Sequence, residues 1–345
     1  MALPMAPDAG ARPRTARGKS MNAIHRLAAA ATLGLALAGP AQAQDAYPSK
    51  PIKVIVHTLP GASSDVLARA VSKTMGEQLG QSFVVENRSG AGGAIGVDAV
   101  AKAAPDGKKL LAGASSAMVM LPIVLSRKLP YDENKDFAPI GVISRSPFVL
   151  VASKASGIRS VQDLIARAKA EPGKLTYGSA GPGTNPHLLG ELLSQLAGIE
   201  LSHIPYKGPA AAESDLIGGT IDILFDTPSS ALPYVKAGKT VAIAATSDKR
   251  VADAPEVPTV AELGYPSLTL YGWTALYAPA ATPPAALAKL REALRQALRT
   301  PALREFILNS GNDILDLYGD DLLKMQVGMQ DFWRDVVKAR GIRLD

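Results

Sequence analysis

The sequence predicts an α/β fold, and three observations carry that reading. Short apolar runs of strand character alternate with stretches of helical periodicity almost to the end of the chain. Two turns rich in small residues each stand between a strand and a helix: Leu59-Pro60-Gly61-Ala62-Ser63-Ser64-Asp65 and Gly178-Ser179-Ala180-Gly181-Pro182-Gly183-Thr184-Asn185. The 345 residues contain no cysteine, so an apolar core must hold the chain without disulfides, which this length allows.

Taken in order, strands are expected at 52–57, 83–86, 109–112, 140–143, 148–152, 175–177, 201–204, 221–225, 241–245 and 273–278. A helix is expected at 64–79, where Val66, Leu67, Ala70, Val71, Met75 and Leu79 share a face. A second at 160–170 opens on Ser160-Val161-Gln162-Asp163, close to a capping box but with Asp in place of Glu or Gln. Helices at 188–196 and 284–298 follow, the latter with Pro284 at its start, where a missing N–H costs least. The chain closes on an amphipathic helix at 320–339. About 300 residues exceed the usual single domain, so two lobes are expected. With crossings at 144–147 and 264–267, lobe 1 is 47–146 plus 268–345 and lobe 2 is 147–267.

The N-terminus reads as an export leader occupying 1–43. A basic start (Met21 to Arg26) precedes an Ala/Leu/Gly-rich run from Leu27 to Ala38, and Ala41-Gln42-Ala43 fits a small-x-small cleavage site. The run has 12 residues, too few for a stable membrane anchor. Cleavage near Ala43 removes five basic residues and one acid, so the formal charge falls from +6 to +2. No basic block interleaved with aromatics follows, which argues against a nucleic-acid partner.

The chemistry-bearing candidates cluster at the turns. First helical N–H groups lack an acceptor one turn back and carry partial positive charge, so both turns are suited to small anions. Ser63, Ser64, Ser115, Ser116, Ser179 and Thr184 add hydroxyls on loops. Asp65 falls in a first helical turn, favoured there by the dipole or free to meet a ligand donor. Asp226 ends a strand at the edge where α/β ligands collect, or caps the next helix. His57 and His187 each neighbour one turn, as packing groups or ligand contacts.

Other chemistries lack their motifs. The string Ser89-Gly90-Ala91-Gly92-Gly93-Ala94-Ile95-Gly96 fails the dinucleotide fingerprint because Ile95 stands where the third glycine belongs, and it reads as a helix start. No phosphate-binding loop, nucleophile elbow or paired metal-ligand spacing occurs, so no catalytic residue, metal or cofactor is assigned. A secreted hydrolase would need a loop serine activated by His57 or His187.

The ordered motifs resemble the extracytoplasmic solute-binding proteins of the tripartite tricarboxylate transporter family, the Bug proteins. The resemblance runs from Tyr47-Pro48-Ser49-Lys50-Pro51-Ile52 through Pro60-Gly61, Val85-Glu86-Asn87-Arg88, Gly90-Ala91-Gly92-Gly93 and Pro105-Asp106-Gly107. It continues through Tyr177-Gly178-Ser179, His187-Leu188, Pro205-Tyr206-Lys207-Gly208, Gly218-Gly219 and Pro255-Glu256-Val257-Pro258-Thr259 to Gly272-Trp273. It implies a two-lobed periplasmic binding protein of the type II, Venus-flytrap kind, with a ligand cleft between lobes and no enzymatic activity. It further implies a monomer that hands a small organic carboxylate to a membrane permease; the alternative is a ligand sensor docking on a two-component kinase.

In that family two opposed loops grip a carboxylate through backbone N–H groups and hydroxyls. Here they match Leu59, Gly61, Ala62, Ser63, Ser64 and Asp65, and Ser179, Gly181, Gly183, Thr184 and Asn185, with Ser115, Ser116 and Asp226 as further wall. The chain departs from the family at His57-Thr58, where Pro-Phe is common, and at Ala62, where a second Gly is common.

Overall fold

A computed structural model describes residues 47–343; the expected leader and its cleavage site lie outside the described residues. Among the described residues no helix is long and apolar enough to cross a membrane.

Two five-stranded mixed sheets form a two-lobed α/β fold. The first contains β1 (Ile52–Val56), β2 (Phe83–Asn87), β3 (Lys109–Ala114), β4 (Phe137–Pro147) and β10 (Tyr271–Pro279), in the order β2-β1-β3-β10-β4. Strands β1, β2 and β3 run parallel, and β10 is antiparallel to both of its neighbours. The second sheet contains β5 (Val149–Ser153), β6 (Thr176–Ser179), β7 (Ser202–Pro205), β8 (Ile223–Asp226) and β9 (Thr240–Ala245), in the order β7-β6-β8-β5-β9. Here β6, β7 and β8 are parallel, with β5 antiparallel to β8 and β9.

Local chemistry explains most of these elements. Strand β1 is a nearly continuous apolar run buried on both faces, as a central strand flanked by helices must be. Helix α1 (Ser63–Leu79) buries Leu67, Ala68, Val71 and Met75, then stops at Gly80 in the left-handed conformation. Helix α2 (Ala94–Ala101) follows the glycine string, and its start lies against His57. A Cβ on Gly93 would sit 2.6 Å from His57 Nδ1, and one on Gly96 2.9 Å from His57 Cα. Close packing therefore accounts for these glycines. Short α3 (Leu121–Val124) follows a wide π-type turn at Ser116–Met120. At α4 (Val161–Ala170) the Ser160 hydroxyl accepts the Asp163 N–H, the cap read from sequence.

The chain passes from the first sheet to the second between Pro147 and Val149 and returns between Ala245 and Tyr271. Residues 144–147 are strand here, bonded to Tyr271–Thr274, so β4 is far longer than the expected 140–143. Its prolines are tolerated because β4 is an edge, and the segment 313–319 covers that edge through Arg145–Asp313 and Val142–Leu317 backbone bonds. Thr246 joins the two crossings. Its hydroxyl accepts the Phe148 N–H (2.8 Å) and donates to Leu270 O (2.6 Å), while its own N–H and C=O bond Phe148 and Leu270.

The remaining helices are α5 (Asn185–Ala197), α6 (Pro209–Gly218), α7 (Pro228–Lys236), α8 (Pro284–Arg299), α9 (Pro301–Asn309) and α10 (Asp320–Arg340). Helices α6, α7 and α9 were not expected; each starts with a proline at a first helical position and has a short apolar face. Helix α10 is keyed into the first lobe by two fully buried glutamines. Gln326 accepts the Tyr277 hydroxyl (2.7 Å), and Gln330 donates to Met118 O (3.0 Å). Its far end reaches the second lobe, where Arg340 Nε pairs with Glu191 at 2.8 Å.

Replacing Thr246 with the isosteric Val leaves the Phe148 N–H and the Leu270 carbonyl each short of a partner in a buried site. Thr246→Val should lower stability by about 2 kcal/mol in urea denaturation, whereas Thr246→Ser should stay close to wild type. Equal loss in both would mean that the methyl rather than the hydroxyl carries the effect.

Candidate functional site

The parallel strands align the turns. The turns after β1, β2 and β3 (Leu59–Ser64, Gly90–Gly93, Ser115–Ser116) share the carboxyl edge of the first sheet. Those after β6, β7 and β8 (Ser179–Asn185, Tyr206–Gly208, Asp226–Thr227) share the carboxyl edge of the second. These edges meet where Asn185 Nδ2 donates to Ser115 Oγ at 3.2 Å. Gly272 lies in the same place, within reach of Asn185 and Phe148, and the Trp273 N–H points to Ser115 Oγ at 3.4 Å.

At the first turn Asp65 organises the loop. Its carboxylate accepts the Gly61 N–H (2.9 Å) and Asn87 Nδ2 (2.9 Å) and pairs with Arg69 Nε (3.0 Å). Asn87 also donates to Thr58 O and accepts from Arg69. Burial alone would raise the Asp65 pKa, but Arg69, Gly61 and Asn87 outweigh it and the net shift is downward. Ser64 Oγ bonds Thr58 Oγ1 at 2.8 Å. Leu59 is 66% exposed at the turn's lip, and Gly61, with φ +83°, supplies the bend after it.

His57 closes this turn from behind. Nearly buried, its Nε2 accepts the Ala114 N–H at 3.0 Å, tying the end of β1 to the Ser115 loop. Burial drives its pKa down to about 4, so the ring is neutral, as an acceptor must be. The histidine that stands where the family commonly has proline is thus a packing and positioning group.

The second turn is built the same way, with side chains satisfying backbone donors. Gly181 N–H bonds Ser179 Oγ (3.1 Å), Gly183 N–H bonds His187 Nδ1 (3.0 Å), and Thr184 Oγ1 donates to Gly181 O (2.7 Å). Ser179 Oγ also lies 2.6 Å from His203 Nε2, a partner the sequence did not reveal. The Ser179 hydroxyl also lies 3.0 Å from Gly181 O, so the hydrogen-bonded serine and histidine brace the bend of the turn. Ser179 is fully buried as well, which leaves this serine–histidine pair a support rather than a nucleophile.

His187 and His203 stack at 4.2 Å, and Tyr177 stacks on His203 at 4.8 Å. The Tyr177 hydroxyl meets Glu191, which in turn pairs with Arg340 of α10. Burial lowers the pKa of both histidines, that of His203 to about 4. No signal in the sequence links 203 to this turn; only the parallel β6–β7 pairing, with Tyr177 opposite His203, places it there.

The candidates therefore fall into two groups. Gly61, Gly181 and Gly183 have N–H groups already bonded by Asp65, Ser179 and His187, so they shape the turns. The first-turn N–H groups of Ser63 and Ser64 on α1 and of Asn185 on α5 have no acceptor one helical turn back. Ala62 is the residue before α1 and accepts the Asp65 and Val66 N–H groups. Ser115 is buried at the lobe junction, and Ser116 opens the π-type turn half-buried. Asn185 Oδ1 is buried without a partner.

Asp226 accepts the Thr227 N–H at 2.7 Å, and burial together with nearby Glu213 pushes its carboxyl well above the carboxylate range. Asp222, at the other end of that strand, is consumed by Thr176. Among the described residues no hydrogen bond links the first turn to Ser179–Thr184 or to Asp226, and no cluster of His, Asp or Glu has metal-holding geometry.

Two lobes joined by paired strands, with helix N-termini facing across their carboxyl edges, define a solute-binding receptor. Residues 67–342 match the model of the tripartite tricarboxylate transporter family receptor, and the chain belongs to that family. Protein BugT of Bordetella pertussis is 36% identical over 91% of this chain and 95% of its own. A Rhodopseudomonas palustris protein solved with adipate is 30% identical with TM-score 0.76, over 86% of this chain and 99% of its own. MatC from Rhodopseudomonas palustris with bound malate is 29% identical with TM-score 0.75, over 84% of this chain and all of its own. These receptors are not enzymes, and the hydrolase reading of the loop serines is set aside.

The three neutral histidines make stability depend on pH. Their folded pKa values lie below the unfolded 6.5, so the unfolded chain binds more protons in between. The stabilisation is complete above about pH 6.5 and is lost as pH falls toward 4, with His57 alone worth about 3 kcal/mol. Thermal unfolding from pH 7.5 to 4.5 should show Tm falling through this window, less steeply in His57→Gln. Equal slopes in the wild type and His57→Gln would contradict a neutral, buried His57.

Proposed function

We propose that the chain is exported, cleaved near Ala43, and works in the periplasm as a monomeric receptor that closes over a small organic carboxylate. Lobe 1 (47–146 plus 268–345) and lobe 2 (147–267) are the closing bodies, and the ligand is handed to a permease of the tripartite tricarboxylate type. The observation that carries this reading is the placement of the α1 and α5 N-termini on two sheet edges that meet at Ser115 and Asn185. Anions gain from such ends through unpaired N–H groups and the helix dipole. Contacts with both lobes would favour the closed form by their differential affinity.

The first turn would present the Ser63 and Ser64 N–H groups with the Ser64 hydroxyl. The second would present Asn185, with Thr184 and Ser115 beside it, and Leu59 would cover the guest's apolar portion. Asp226, with its carboxyl biased to the neutral acid, would meet a second polar group of the ligand. The Rhodopseudomonas palustris relatives solved with adipate and malate support a dicarboxylate-sized guest.

Calorimetric titration of refolded, ligand-stripped protein against mono-, di- and tricarboxylates tests this. One acid should bind saturably, and Ser64→Ala and Ser115→Ala should each weaken it roughly tenfold or more, as for loss of a hydrogen bond to a charged group. Unchanged affinity in both variants would remove the ligand from this cleft.

A further inference from the structure

A second cavity lies away from the two turns, between the returning crossing segment and helix α10. It is a half-open recess of about 370 Å³. Its apolar wall is made by Trp273, Leu315, Met325, Met329, Phe332 and Trp333, and Arg145 stands at its polar end. No residue of Leu59–Asp65 or Ser179–Asn185 lines it. The volume falls at the small end of known ligand pockets, the size for a single ring rather than an extended molecule.

Two polar groups of this wall are unpaired donors. Arg145 Nε is buried without a hydrogen-bond acceptor; its nearest carboxylate, Asp313, is 3.8 Å away, too far for a good bond. The guanidinium lies 4.0 Å over the Tyr271 ring, and the Tyr271 hydroxyl bonds Asp248; the Arg145 side chain keeps 26% of its surface exposed, so its charge is reachable from the cavity it lines. Trp333 is fully buried, and its indole N–H also lacks an acceptor. A partly exposed guanidinium at the end of an aromatic-lined cavity is complemented by an anionic, acceptor-rich group. The rest of the wall suits an aromatic ring, through edge contacts with Trp273 and Phe332 and sulfur contacts with Met325 and Met329.

We propose that this cavity is a second ligand site that takes a single-ring aromatic carboxylate, ring among Trp273, Met325, Met329 and Phe332, carboxylate on Arg145. The site sits on the moving parts. Arg145 and Trp273 are partners across the β4–β10 crossing pair, and the Trp273 N–H reaches Ser115 at the base of the cleft. An occupant that binds one lobe arrangement better than the other shifts the closure equilibrium, coupling the two sites reciprocally.

The chain's only two tryptophans, Trp273 and Trp333, both line this cavity, so intrinsic fluorescence reports it directly. Titration with phenylacetate should give a saturable change, with phenylacetamide binding at least tenfold more weakly. Met325→Phe, which fills the cavity, and Arg145→Gln should each weaken phenylacetate at least tenfold, while Ser64→Ala, in the cleft, should not alter the titration. No saturable response, equal binding of the uncharged amide, or loss of the response in Ser64→Ala would each overturn the proposal, the last by placing the acid in the cleft.

Discussion

Thr246 stands where the two lobes are joined, and the two crossing segments depend on its bonds. Its backbone extends the second sheet onto Phe148, and its hydroxyl and carbonyl draw Leu270 to the same point. Both strands that carry the chain between lobes are thereby held together at one fully buried residue. The crossings cannot separate without breaking two backbone bonds and two bonds of the Thr246 hydroxyl in an apolar surround, which is costly. The closure proposed for the receptor would be a rotation about this point, narrowing or widening the gap between the two carboxyl edges.

The turns on those edges are rigid for a related reason. Glycines allow the bends, but side chains behind the loops satisfy the bent backbone: Asp65 and Asn87 in the first, Ser179 and His187 in the second. Neutral imidazoles suit this work because a ring with one bare nitrogen accepts a buried N–H without carrying a charge into the core. Preorganised donors cost a ligand less ordering than flexible ones. Helix α10 adds a second tie between lobes, from Gln326 and Gln330 near its middle to Arg340 at its end. Its remaining face borders the crossing strands, so the hinge and the aromatic cavity share walls.

Alternating apolar runs and amphipathic stretches made the α/β class, most of the strands and the long helices legible in the sequence. Periodicity over ten or more residues survives any plausible packing, as α8 and α10 illustrate. Short α6, α7 and α9 escaped because few turns bury few residues, and their leading prolines read equally as loop. The length of β4 escaped because Pro139, Gly141 and Pro147 argue against a strand unless an edge partner is known.

The sequence by itself determined which turns stand before helices, and hence where unpaired helical N–H groups lie, because capping and small-residue chemistry are local. Only the tertiary structure decided which polar groups remain open. Gly61, Gly181 and Gly183 are taken by partners 2 to 4 residues away, while Ser179 meets His203 across 24 residues and Asn185 meets Ser115 across 70. Such pairings are set by strand order and by how the two sheets face, and these depend on burying the whole apolar surface at once rather than on any segment's own preference.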